Sequence, residues 1–279
     1  MNALTGPGVG SSRGALWLPL LRRLAEEVPN SYVWKNVDPA LEGIGDIDYC
    51  ARTADWPTIN LVFRRWALNA GLGPVIVCRH VPDVMFLVVP DSTSDSLYEL
   101  DVRDRIKLRG TTVFHCEEGL PLAQTDARGF RRLRPGAEGV VKLVLHGVAP
   151  GGLARPAALD KERVAMLIKS DPRGARDATR LFGMASGPLR KAAKEVTRGG
   201  WNRRAMTLVD TRTMAKVLVS PKGVWGRVRY EQIKSRCPVI TAIVQHKRRV
   251  PGDRSEWLRL VAETHDLGTY GGEDELASA

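Results

Sequence analysis

The pattern of apolar residues changes near residue 120, and this change limits the folds open to the chain. Between residues 32 and 116, strand-like runs alternate with helical patterns. Two runs, "PVIVCRHV" and "DVMFLVVPD", are rich in β-branched and apolar residues, as expected for buried strands. The stretch "WPTINLVFRRWALNAGLG" repeats apolar residues at helical spacing and ends in glycine. We therefore predict a mixed sheet with helices in this half, to which "TTVFHC" adds a further strand.

Helical patterns separated by Pro and Gly dominate after residue 120. They include "GAEGVVKLVLHGVA", "DKERVAMLIKS", "GPLRKAAKEVTR" and "RSEWLRLVAETH", with a hairpin expected around residues 221–223. The two halves together predict an α+β protein with an N-terminal mixed sheet and helices, followed by a mostly helical C-terminal lobe. The expected divisions are a flexible lead at 1–14, a sheet domain at 15–120, a basic helical domain at 121–270 and an acidic tail at 271–279.

The net charge of +11 is concentrated in the second half. Residues 1–140 contain 16 Lys and Arg against 17 Asp and Glu, whereas residues 141–279 contain 26 against 14. This asymmetry favours a polyanionic partner, although an Arg-rich protein without such a partner has the same composition. No apolar run approaches 18 residues, so no membrane span is expected. The four cysteines form no close pair, which favours the reducing cytoplasm.

Two aspartates stand one residue apart in the otherwise apolar run "EGIGDIDYCA". Residues two apart on a strand point to the same face, so Asp46 and Asp48 project together. Carboxylates this close repel each other unless a cation lies between them, and oxygen ligands suit Mg²⁺. The alternating stretch "YELDVRDR" offers Asp101 as a third ligand, with Glu99 and Asp104 as rivals. The other interpretation of "GDID" is a solvated turn.

The acids stand at a defined distance from the preceding strand. That strand ends in "VWKN", nine residues follow from Val37 to Gly45, and "DID" begins at Asp46. This arrangement resembles the nucleotidyltransferase superfamily related to DNA polymerase beta. Its members have a strand ending in Gly-Gly or Gly-Ser, a spacer, Asp-hydrophobic-Asp, and a later third acid. Lys35 and Asn36 stand in place of the small pair, and the resemblance covers roughly residues 30–115.

The resemblance implies an enzyme that uses Mg²⁺ or Mn²⁺ to move a nucleoside monophosphate from an NTP to an acceptor. It implies metal-binding and catalytic roles for Asp46, Asp48 and Asp101, with Asp101 helping to activate the acceptor hydroxyl. The candidates for nucleotide binding are Lys35, Asn36, Gly45, Arg103, Lys107 and Lys142. Each of the cations Arg103, Lys107 and Lys142 has the alternative of a solvated surface position.

A basic segment, "GPLRKAAKEVTRGGWNRR", combines a charged helix with an aromatic residue. This combination suits a phosphate backbone whose unpaired base stacks on the ring. The candidates for nucleic-acid binding are Arg190, Lys191, Lys194, Arg198, Trp201, Arg203 and Arg204. The alternative is a solvated charged face with Trp201 in the core.

The order of a catalytic domain and a basic helical lobe is similar to that of bacterial nucleotidyltransferase toxins. This resemblance implies an RNA acceptor, the 3′ end of tRNA, and an antitoxin protein as partner. Two alternatives stay open. One is a transferase acting on a small molecule or glycan precursor, and the other is a non-catalytic RNA-binding relative.

Overall fold

The strands account for the N-terminal half of the fold. The computed structural model describes residues 12–79, 83–91, 96–108, 111–147 and 160–218, together with Trp225 and Val228. The strands within these ranges are β1 (Tyr32–Lys35), β2 (Ile47–Cys50), β3 (Ile76–Cys78), β4 (Val84–Asp91), β5 (Ser96–Arg103), β6 (Arg105–Leu108), β7 (Thr111–His115), β8 (Ala123–Thr125) and β9 (Arg131–Leu133).

Seven of these strands form one mixed sheet in the order β3-β4-β5-β2-β1-β9-β8. The β2–β5 and β1–β9 pairs are parallel, and the remaining neighbours in the sheet are antiparallel. The strands β6 and β7 pair only with each other within the described chain. The sheet is therefore centred on β5, β2 and β1, the strands that carry the candidate acids and the residues before the spacer.

The helices lie on both sides of the sheet and make up the C-terminal part of the described chain. They are α1 (Ser12–Glu27), α2 (Val37–Leu41), α3 (Trp56–Asn69), α4 (Cys116–Gly119), α5 (Pro135–Gly147), α6 (Lys161–Ser170), α7 (Pro172–Thr179), α8 (Ser186–Thr197) and α9 (Arg203–Leu218). Asp160 and Asp171 cap α6 and α7 by accepting hydrogen bonds from backbone N–H groups of the first turn, which favours helix starts at these positions.

The two faces of the sheet pack against different cores. One face packs against α1 and α3 through residues such as Ile47, Tyr49 and Leu100. The other face packs against α5 and the later helices through Trp34 and Cys50. Because side chains alternate along a strand, Asp48, which lies between Ile47 and Tyr49, projects to this second face. Asp101, which follows Leu100, projects to the same face. The candidate acids therefore lie on the side of the sheet that faces the helical lobe.

The predicted α+β class is confirmed, with a mixed sheet followed by a mostly helical lobe. The sheet continues through β9 to Leu133, beyond the division expected at residue 120. The segment "TTVFHC" does not extend the main sheet, because Thr111–His115 forms a separate hairpin with β6. Helix α1 begins at Ser12, inside the expected lead. The expected hairpin at 221–223 and the tail at 271–279 lie outside the described residues.

None of the helices in the described ranges has both the length and the apolar character needed to cross a bilayer.

Candidate metal centre

Three carboxylates meet on the sheet face that is turned toward the helical lobe. Strands β2 and β5 are parallel, and their register sets Asp48 directly beside Asp101. Asp46 immediately precedes β2 and completes the group. Each acid offers one oxygen, and these three oxygens all lie within 4.8 Å of one another. The fold thus brings together the three acids that the sequence indicates.

Burial of three ionised carboxylates lowers the stability of the fold unless a cation compensates their negative charge. Asp48 is 1% exposed and Asp101 is 5% exposed. Burial raises the pKa of Asp101 well above its usual range, and Glu99 and Asp48 raise it further. Burial also raises the pKa of Asp48, against the opposing effect of Lys35. At an effective dielectric constant of about 20, two like charges 4.8 Å apart repel by roughly 3.5 kcal/mol.

Among the buried carboxylate oxygens of the cluster, Oδ2 of Asp48 is ion-paired with Lys35, whereas Oδ1 of Asp101 has no partner within the described residues. Oδ1 of Asp101 is fully buried and has no hydrogen-bond partner in the part of the chain that the structure describes. Its other oxygen, Oδ2, lies 3.5 Å from Nη2 of Arg103. An unsatisfied buried acceptor costs about 1–3 kcal/mol, and more when it is charged. All three acids offer carboxylate oxygens as metal ligands, and Mg²⁺ and Mn²⁺ prefer oxygen ligands, so the residues fit either ion.

Two cations flank the acids and share one aromatic ring. Nζ of Lys35 lies 2.8 Å from Oδ2 of Asp48 and 4.7 Å from the centre of the Trp34 ring. The guanidinium of Arg103 lies 5.9 Å from the same ring. A register irregularity in β1 sets Lys35 opposite Asp48, and such bulges redirect side chains. The predicted nucleotide-binding residue Lys35 is therefore a direct neighbour of the candidate metal ligand Asp48.

Asn36 connects the end of β1 to the buried helix α5. Its backbone is left-handed, with φ of 60° and ψ of 15°, a conformation that Asn tolerates better than most residues other than Gly. Its N–H donates to Oε1 of Glu138 at 3.1 Å, and its side-chain oxygen accepts from Nζ of Lys142 at 2.7 Å. Burial lowers the pKa of Lys142, with Glu138 opposing. Asn36 thus takes a glycine-like backbone conformation while anchoring Lys142.

The other two nucleotide-binding candidates lie in different surroundings. Gly45 has φ of 89° immediately before Asp46, and a Cβ at that position would meet no atom within 4 Å. The backbone beside the acids is therefore open to a ligand. Lys107 lies on β6, where its ammonium forms an ion pair with Asp83, a residue outside the acid cluster.

The basic candidates of the helical lobe are exposed, whereas Trp201 is not. The exposed cations are Arg190, Lys191 and Lys194 on α8, Arg198 just after it, and Arg203 and Arg204 at the start of α9. Trp201 is half-buried and packs against the core. A Cβ at Gly147 would stand 2.9 Å from the Trp201 ring. The placement of Trp201 corresponds to the core alternative.

Two further residues, Glu138 and Arg132, support the site and are absent from the candidates that the sequence patterns indicate. Glu138 is 2% exposed, and its Oε2 lies 2.9 Å from Nη2 of Arg132, which is 7% exposed. The signal for Glu138 was present, because it stands four residues before Lys142 in an otherwise apolar helix. Arg132 gave no such signal. Its position depends on the parallel pairing of β1 with β9, which is a long-range contact.

Comparisons with known proteins do not assign a family. No protein-family model matches the chain, and no curated protein matches it. A solved structure, the crystal structure of JHP933 from Helicobacter pylori, aligns with 83% of this chain and 96% of its own. The sequence identity is 12% and the TM-score is 0.38, a likeness too weak to carry an argument. The resemblance to nucleotidyltransferases stays a prediction from sequence.

Proposed function

We propose that the protein is a metal-dependent nucleotidyltransferase, which moves a nucleoside monophosphate from an NTP to an acceptor. The observation that carries this proposal is the group of three carboxylates with oxygens within 4.8 Å of one another. The unpartnered buried oxygen of Asp101 supports it, because a divalent cation would satisfy that oxygen. The spacing between β1 and Asp46 supports the same assignment.

In this proposal Asp46 and Asp48 are the principal metal ligands, and Asp101 is a further ligand that helps to activate the acceptor hydroxyl. Mg²⁺ or Mn²⁺ bound there would lower the pKa of that hydroxyl and neutralise charge on the triphosphate. The protein's own part is orientation. Asp48 and Asp101 belong to paired strands, so both carboxylates are held in place before the substrate binds.

The side chains around the acids are assigned to the nucleotide. Lys142 and Arg103 are proposed to contact the triphosphate, and the hydrogen bond from Lys142 to Asn36 fixes the direction of its ammonium. Lys35 neutralises part of the charge on Asp48 through their ion pair. Gly45 leaves space beside the acids through which the nucleotide can approach the backbone.

The proposed acceptor is RNA, with the 3′ end of tRNA as the best candidate. The support is the charge asymmetry of the sequence and the exposed cations on α8 and α9. A toxin role in the cytoplasm, with an antitoxin protein as partner, follows only from the similarity in plan to nucleotidyltransferase toxins and belongs to the proposal.

A second candidate function is RNA binding without catalysis. The ion pair between Lys35 and Asp48 favours it, because the ammonium already supplies a positive charge to the buried acid. Lys35 also occupies the position at which the nucleotidyltransferase superfamily has a small residue. In this alternative the acids are retained without NTP turnover.

The test incubates the purified protein with Mg²⁺, each α-labelled NTP in turn and total bacterial tRNA, followed by denaturing gels. The variant is Asp48→Asn and the matched control is Asp104→Asn, since Asp104 directly follows β5, the strand of Asp101, but lies outside the cluster. Label on RNA with the wild type and Asp104→Asn, but not with Asp48→Asn, is the expected result.

Other outcomes select among the alternatives. NTP turnover only with a small-molecule extract would replace RNA by a small acceptor. Absence of turnover with every NTP, combined with retained RNA binding, would select the non-catalytic candidate.

A further inference from the structure

Helices α6, α7 and α8 enclose a surface groove of about 500 Å³. Its lining includes buried apolar residues at the base, such as Ile168 and Ala175. Four cations stand around it, one from α6, one from α7 and two from α8. These exposed residues are Lys169, Arg176, Arg190 and Lys194. Three helices thus converge their positive side chains on one depression.

The positive charge of this groove is not compensated within the described ranges. None of its four cations forms an ion pair there, and its lining includes no acid. The nearest acid along α7, Asp177, is paired with Arg180 at 3.1 Å. Cations near the sheet behave differently, since Arg128, Arg132 and Arg134 each pair with acids. The groove therefore presents four formal charges to solvent.

A second groove of about 660 Å³ continues the first along α6 and α8. The two share Lys169 and Thr197 in their linings, so they are contiguous. The second groove extends to Lys161, eight residues before Lys169 on the same helix, and its lining includes one acid, Glu162. Eight residues of α-helix span about 12 Å. The combined depression, which we name the α6–α8 furrow, is thus an elongated track longer than a single phosphate needs.

The first half of α6, which carries Lys161, lies beside Lys142 of α5. Gly136 of α5 lies against Asp171, and Gly139 lies against Ile168, so α5 and α6 run antiparallel. Three residues further along α5, Lys142 lies beside the first half of α6. Lys142 in turn donates a hydrogen bond to Asn36, which follows Lys35 at the end of β1, so α5 lies between the furrow's helix α6 and the strand end beside the acids.

We propose that the α6–α8 furrow binds the phosphodiester backbone of a folded RNA. The choice of RNA rests on the proposed function, while the polyanion binding rests on the furrow itself. Its lining has no aromatic ring among the described residues, so base stacking has no platform there. The furrow contacts phosphates and positions the RNA without reading its sequence. It adds Lys161, Lys169 and Arg176 to the cations that the sequence indicated.

The test measures binding of a 5′-fluorescein tRNA-sized stem-loop by anisotropy, in EDTA and without NTP. The variant R176Q/R190Q removes two furrow cations. The control R64Q/R173Q removes two exposed arginines that do not line the furrow. Four phosphate contacts predict a roughly 100-fold loss of affinity between 50 and 200 mM salt. R176Q/R190Q should lower the slope of log K against log salt by about 1.5–2, with Kd raised at least roughly tenfold at 0.1 M salt.

Each outcome decides the proposal. A loss in R176Q/R190Q but not in R64Q/R173Q supports it. Equal losses in both variants would show nonspecific charge and overturn it. A DNA hairpin or a polyglutamate peptide that binds more tightly than the RNA, and loses more affinity in R176Q/R190Q, would overturn the assignment to RNA. The binding assay contains no metal or NTP, so it is independent of catalysis. RNA binding through the furrow, combined with no label transfer in the assay with Mg²⁺ and NTP, would contradict the proposed function but not the furrow. Label transfer with unchanged binding in R176Q/R190Q would sink the furrow alone.

Discussion

Asp48 and Asp101 occupy paired positions on two neighbouring parallel strands, and both side chains are buried on the same face of the sheet. Two acids in this relationship reduce the stability of the fold, because desolvation and mutual repulsion both oppose their ionisation. A divalent cation removes both penalties at once. The stability and metal affinity of variants at these positions therefore test the proposed site.

Replacing Asp101 by Asn is expected to stabilise the metal-free protein near neutral pH. The pKa of Asp101 is raised in the folded state, so wild-type stability falls as pH rises from the unfolded pKa through the folded pKa. D101N lacks this loss and should be more stable by about 1–3 kcal/mol at pH 8. Thermal unfolding in EDTA at pH 5 and pH 8 measures the effect. A variant that melts below the wild type at pH 8 would contradict it.

Replacing Lys35 by Met should destabilise the metal-free protein and increase its response to Mg²⁺. The change leaves Asp48 buried without its ion pair, at a cost of about 3 kcal/mol. Mg²⁺ can replace the lost positive charge, so its shift in melting temperature should be larger in K35M than in the wild type.

K107M is the matched control for this experiment. Lys107 pairs with Asp83 in a more exposed setting, where an ion pair contributes less than about 1 kcal/mol. Its Mg²⁺ response should equal that of the wild type. Equal Mg²⁺ responses in K35M and K107M would show that Lys35 does not compensate the metal ligands.

The left-handed backbone of Asn36 predicts opposite tolerance for two small substitutions. N36G keeps the conformation without strain, whereas N36A retains a Cβ but loses the polar side chain that makes this conformation tolerable for Asn, at a cost of about 1 kcal/mol or more. Both variants lose the hydrogen bond from Lys142 equally. Urea unfolding should therefore rank N36G above N36A. The reverse order would be inconsistent with the observed backbone conformation.

Trp201 is expected to act in the core and not on RNA. W201A should lower stability by about 2 kcal/mol, because a half-buried ring that contacts Gly147 is removed. RNA affinity, measured well below the melting temperature, should stay at the wild-type value. A stacked base would instead contribute about 1–3 kcal/mol, so a loss of tenfold or more would restore the stacking role.

Local patterns predicted much of the fold and the acid cluster. The alternation around Asp101 and the pair Asp46 and Asp48 follow from strand periodicity, which needs no knowledge of distant contacts. The ion pair of Lys35 could not be predicted, because it depends on a register irregularity between β1 and β2. The short helix α2 within the spacer, Val37–Leu41, also escaped prediction, since it contains a proline and spans only five residues.

The separate β6–β7 hairpin and the late strands β8 and β9 also depend on long-range contacts, which local sequence patterns do not reveal. Periodicity identifies a strand but not its partner, so the pattern of "TTVFHC" correctly predicts a strand but wrongly places it in the main sheet. Strand β9 has three residues, and its parallel pairing with β1 joins positions about 100 residues apart in sequence. Such pairings are determined by tertiary packing.

The most direct test of the proposed metal centre is a Mn²⁺ titration followed by the electron paramagnetic resonance signal of the free ion. The wild type, D101N and the control D104N are compared at pH 8. Because Asp101 contributes a buried, unpartnered oxygen, D101N should bind Mn²⁺ at least roughly tenfold more weakly than the wild type, while D104N binds equally. Equal binding by D101N and the wild type, or no binding by the wild type, would contradict a metal centre at these acids.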